Sequence, residues 1–160
     1  MSYGAFGAYG AQDYGGPYWV ARTDGVLGRR LFAYLVDLTV IAVLTILFGF
    51  LIGVAGVLTF GLGWGLYAVL VPGTVLLYSA VTIGGAGQGT LGMRFAGLRA
   101  IDAETGGRVG FLMAALHALL FYVGAGTFLL LVADIVIGMA RRDRRLGHDL
   151  VTGVLLVRRG

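Results

Sequence analysis

A chain of 160 residues, 58% hydrophobic and 12% charged, with a mean hydropathy of +0.89, has too little polar surface to cover a water-soluble globule. Its net charge of +4 comes from twelve basic residues, all Arg; they flank apolar runs, where they anchor helices at a lipid surface, and this argues against nucleic-acid binding. There is no Cys, which excludes disulfide and thiolate chemistry. Arg without Lys, beside abundant Gly and Ala, suits a GC-rich bacterial genome.

Residues 1–23 are rich in Gly, Ala and Tyr and read as a flexible tail, with a partner-binding low-complexity segment as the alternative. The start has neither the basic residues nor the apolar run of a secretory signal. The membrane domain then occupies residues 24–160. Its first helix is expected to begin between Asp24 and Gly28, behind Arg29 and Arg30, and to run to about Gly53. Between Arg30 and Arg94 the only charge is Asp37. As helix, the stretch from Leu31 to Ile83 would be roughly 80 Å long against a hydrocarbon core of about 30 Å, so it must cross at least twice. A Gly-rich turn leads to a second helix over Leu62 to Ile83, in which Pro72 predicts a kink. Gly49 with Gly53 and Gly61 with Gly65 have the GxxxG spacing that allows close helix approach.

From Gly84 to Gly110 the chain turns polar, and "FAGLRAID" predicts a strand at the membrane surface, as does the tail "DLVTGVLLVRR". The two could pair. Phe111 to Ala140 is longer than one span and is interrupted by "VGAGT", so it reads either as one long kinked helix or as a hairpin of two short helices. The fold class is therefore an all-α polytopic membrane protein with two full transmembrane helices, this third hydrophobic region and a small cytoplasmic β element. All Arg-rich regions belong in the cytoplasm by the positive-inside rule, which puts both termini there and favours the hairpin.

A carboxylate at Asp37, about 9 Å into the first apolar run, costs roughly 2.5–3.5 kcal/mol on insertion scales. Arg30 shares its helix face but leans toward the N-terminus, away from Asp37. The partner is expected from another segment: His117, His148 or the Arg cluster around "RRDRRLGHDL", or a bound cation. Asp134 and His117 also lie in apolar surroundings and with Asp37 could form a proton relay; the alternative is a set of hydrogen-bonded groups that fix helix packing. No HExxH motif or His pair at metal spacing occurs, so no metal site or cofactor is expected. Ser2 and Ser79 lack a neighbouring base, and no Gly-rich loop opens a helix after a strand, so enzyme activity is not expected.

These motifs, in this order, resemble the RDD family of small bacterial membrane proteins. "RLFAYLVD" supplies Arg30 and Asp37, "QGTLGMRFAGLRAID" resembles the family's Thr-x-Gly-Lys loop and strand, and "RRLGHDLVTGVLLV" supplies Asp149 after His148. The similarity spans Gly25 to Arg158. Met93 stands where the family usually has Lys, with Arg94 adjacent, and His117 where an Arg commonly opens the third hydrophobic region. The resemblance implies a role in transport, with cation/proton exchange as its specific form and a charge cluster of Arg30, Asp37 and Asp149, assisted by Arg94, His117, Asp134 and His148. With so few helices, a pathway for a monovalent cation or proton would lie between protomers of a homo-oligomer in the bacterial inner membrane. The competing reading is a non-transporting scaffold in which the same cluster is structural.

Overall fold

In a computed structural model, the chain is described at Thr23 and over residues 25–159. The N-terminal tail lies outside the described residues except for Thr23, which is buried, its hydroxyl donating to the Arg142 carbonyl. Helix α1 runs Val26–Leu58. At 1.5 Å per residue its length is roughly 50 Å, so it must tilt or project beyond the hydrocarbon core. Apolar side chains ring it, with Leu31, Phe32, Leu35, Val43, Ile46 and Phe50 each more than half exposed. A helix apolar all round must be buried, in lipid or against other protein.

The first helix passes the expected stop at Gly53 because no residue there breaks it. It ends where Phe60 and Gly61 adopt positive φ. The following 3₁₀ segment Leu62–Val69 lies back against it. A Cβ on Gly63 would come within 2.8 Å of the Gly56 backbone nitrogen, and one on Gly56 would overlap the Trp64 ring, so both close approaches require glycine. The Tyr67 hydroxyl donates to the Gly49 carbonyl at 2.8 Å.

Helix α2, Leu70–Gly84, begins only at Leu70. Pro72 therefore falls in its first turn, where a missing N–H costs little, and the kink expected inside a continuous helix is replaced by this change of helix type. Val26–Leu58 and Leu62–Gly84 are the two stretches long and apolar enough to cross a membrane among the described residues.

The polar segment contains a short helix α3, Leu91–Phe95, not anticipated from the sequence, followed by strand β1, Leu98–Asp102. The third hydrophobic region is two helices, α4 over Phe111–Ala125 and α5 over Phe128–Ala140, bent through 117° at the intervening Gly126 and Thr127. A further short helix α6, Gly147–Thr152, takes the first half of what the sequence suggested was a strand, leaving β2 at Val154–Arg158.

The β1 and β2 strands pair antiparallel, Leu98 opposite Arg158 and Asp102 opposite Val154. Leu98, Ala100, Val154 and Leu156 pack into one core with Val26 and Ala33 of α1, Ile83 of α2 and Ala114 of α4. The start of α1, the end of α2, the start of α4 and both strands thus meet at one end of the helices.

Beyond β1 the Asp102 carboxylate accepts from the Thr105 and Glu104 amides and the Thr105 hydroxyl. The Thr105 amide first, and its hydroxyl next, hold this carboxyl below its ordinary pKa. A lowered folded pKa contributes stability above the unfolded value and loses it as pH falls through the folded one. NMR of the Thr105 amide should show the turn loosening only below about pH 4, and Asp102→Asn should remove that transition.

Candidate functional site

Asp37 faces inward from α1 and is 7% exposed. Its Oδ1 accepts from the Tyr78 hydroxyl at 2.6 Å and the Gly92 amide at 2.8 Å, and its Oδ2 from the Thr90 hydroxyl at 2.5 Å. Both hydroxyl donors are themselves braced. Thr90 caps α3 by accepting from the Met93 amide, and Tyr78 accepts from the Leu91 amide. The carboxylate is thus held by a helix N-terminus and two hydroxyls from other segments, which stabilise an anion without a counter-charge. Among the described residues no cation lies within ion-pair distance of it. The partner does come from outside α1, but it is neither His117, His148 nor the Arg cluster.

Arg30, nearly two turns earlier on the same face, reaches Asp149 of α6 instead, Nη2 to Oδ2 at 2.6 Å. Asp149 is 0% exposed and its Oδ2 also accepts from the Leu146 amide at 2.9 Å, closing the first turn of α6. Burial pushes the Asp149 carboxyl up, but the Arg30 guanidinium and then the two imidazoles outweigh it and hold the group below its ordinary value. Arg145 donates to the Asp149 and Val154 carbonyls and so ties α6 to β2.

Two imidazoles complete this second cluster. His148 accompanies Asp149 on α6 and binds Asp134 of α5 twice, through its amide at 3.0 Å and Nδ1 at 2.7 Å. His117, from α4, sits with Nδ1 3.3 Å from the Thr152 hydroxyl and 3.6 Å from Asp149 Oδ1. The ring centroids of His117 and His148 are 4.8 Å apart.

A cavity of about 90 Å³ joins the clusters, lined among others by Arg30, Asp37, Thr90, Met93, His117 and His148. That is room for several water molecules. The expected set is therefore divided. Asp37 lies in one wall, Arg30, His117 and His148 in another with Asp149 and Asp134 bound to them, and no hydrogen bond or ion pair links Asp37 to Arg30 or Asp149. Instead of a relay through Asp37, His117 and Asp134, the chain of polar contacts runs Asp134, His148, Asp149. Arg94 turns away, donating to the Gly89 carbonyl at 3.0 Å, while Met93 faces the cavity.

The pattern of Arg30, Asp37, the Thr90-x-Gly92 loop and Asp149 decides the relationship, since the sequence profile of the RDD family matches residues 25–153. The chain belongs to the RDD family. Together with its two apolar spans this makes it a membrane protein. No curated protein and no solved structure matches it. In this RDD protein the residues that sequence reasoning missed are Tyr78, Thr90 and Gly92. The Thr-x-Gly spacing was visible and its use was not, because a neutral hydroxyl and a backbone amide carry no charge to pair with Asp37.

Proposed function

We propose that this RDD protein moves a proton or monovalent cation across the bacterial inner membrane, exchanging one against the other through the cavity between α1, α2 and α4. The observation that carries the reading is the cavity itself: ionisable side chains from three helices, α1, α4 and α6, face one solvent-sized space inside apolar helices, and such groups at membrane depth mark ion or proton pathways. Asp37 would be the group that exchanges its proton, and Arg30 with Asp149 the fixed charge that closes the inner end. Arg30, Arg99, Arg145 and Arg158 gather at the end where the sheet lies, which by the positive-inside rule supports a cytoplasmic position for that end. With two long spans among the described residues, or three if the bent pair α4 and α5 counts as one, the full pathway would be completed by a second copy.

The scaffold reading has its own support, in the complete set of donors around Asp37. Asp37→Asn separates the two. In proteoliposomes, cation-driven acidification measured with an internal dye should fall at least tenfold in the variant, while its melting temperature in detergent drops only modestly. Absence of flux in the unaltered protein, with a lower melting temperature for Asp37→Asn, would establish the scaffold instead.

A further inference from the structure

We propose that His117, His148 and Asp149 form a binding site for one divalent transition cation of the zinc class, with a fourth coordination position open to the cavity. This concerns equilibrium binding and does not rest on the transport reading.

Asp149 carries the argument. It is fully buried; its Oδ2 is occupied by Arg30 and the Leu146 amide, yet its Oδ1 has no hydrogen-bond partner. A buried carboxylate oxygen left bare is costly, and in native proteins it points to a missing ligand or water. What Oδ1 faces is His148 Nε2 at 3.4 Å and His117 Nδ1 at 3.6 Å, the latter giving up its 3.3 Å contact with the Thr152 hydroxyl if it binds a metal, and both distances are too long for strong hydrogen bonds. They are close to the spacing that a shared metal imposes: with bonds of about 2.0–2.1 Å to imidazole nitrogen and carboxylate oxygen, the edge of a tetrahedron is roughly 3.3–3.4 Å. One potential ligand atom from each residue lies within 4.8 Å of the other two.

The surroundings fit the same cation. His148 Nδ1 is engaged with the Asp134 carboxylate at 2.7 Å, which leaves Nε2 as the ring nitrogen turned toward Asp149 Oδ1. A cation between them would be ligated by both. A carboxylate behind the far nitrogen of a ligating imidazole is also the common outer support of a bound metal, fixing its tautomer and ring plane. Asp134, Asp149 and Arg30 together sum to one negative charge, so a dication is tolerated there. Two imidazoles with one carboxylate suit zinc, cobalt or nickel better than magnesium or calcium. His117 and His148 both border the cavity, which leaves room for an exchangeable fourth ligand.

The test uses the full chain without a histidine tag, purified in detergent, stripped with chelator and titrated with Co²⁺. The expected result is one equivalent bound with the intense visible bands of tetrahedral cobalt, displaced by Zn²⁺. Both His117→Gln and His148→Gln should abolish those bands, and Asp134→Asn, which touches no metal, should weaken binding about 10- to 100-fold. No tetrahedral cobalt in the unaltered protein overturns the site, as does binding that survives in both histidine variants. If either histidine variant fails to fold, undiminished affinity in Asp134→Asn overturns it as well.

Discussion

Asp149→Ala is expected to destabilise the protein by about 3–5 kcal/mol, the usual cost of removing one partner from a buried ion pair. Arg30, 12% exposed, would then hold an uncompensated charge among Ala33, Ile83 and Leu156, and the Leu146 amide would lose its acceptor at the start of α6. The magnitude comes from the orphaned cation more than from the attraction that is lost. Removing both charges together, in Arg30→Met with Asp149→Leu, should therefore recover most of the deficit. Melting curves of the metal-free single and double variants in detergent measure this. A double variant as unstable as Asp149→Ala would show that the cost lies in the packing of α6 and not in the charge.

Gly92→Ala is the second large effect. The added Cβ would sit 2.0 Å from the Ala33 carbonyl oxygen and 2.8 Å from Asp37 Cγ, a separation no real side chain tolerates. α3 must retreat from α1, and with it go the Gly92 amide and the Thr90 hydroxyl that hold Asp37. Overpacking at about 1–3 kcal/mol and loss of a charge-assisted hydrogen bond at about 1.5–3 kcal/mol together put the expected loss at about 3 kcal/mol or more. The control is Gly28→Ala on the exposed first turn of α1, where a Cβ meets nothing within 4 Å. It should be neutral or stabilising by up to about 1 kcal/mol. Equal losses in the two variants would mean that the contact between Gly92 and Ala33 is not what positions α3.

The long apolar spans were legible because hydropathy is a local property and charges interrupt it visibly. The identity of Asp37's partners was not, because the rule applied was one of charge balance. An oriented amide, a tyrosine and a threonine stabilise an anion as dipoles, and dipoles leave no mark in a count of charged residues. Pro72 misled for a related reason: its effect depends on where the helix starts, and that is set by Trp64 and Tyr67 docking on Gly56 and Gly49. The bend at Gly126 and Thr127 was readable from "VGAGT", although its 117° was not. His117 and His148 have no recognisable metal spacing in sequence, since rules of spacing cover ligands on one helix, and these come from α4 and α6.

The pairing of Arg30 with Asp149, and of β1 with β2, joins the opening of the membrane domain to its final stretch. On a ribosome making residues in order, α1 enters the bilayer long before Asp149 exists, so Arg30 must wait at the lipid headgroups without its partner. A chain arrested before residue 146 would have its spans but neither the sheet nor the closed end of the cavity. Synthesis of residues 146–158 is therefore the event that seals the charged interior.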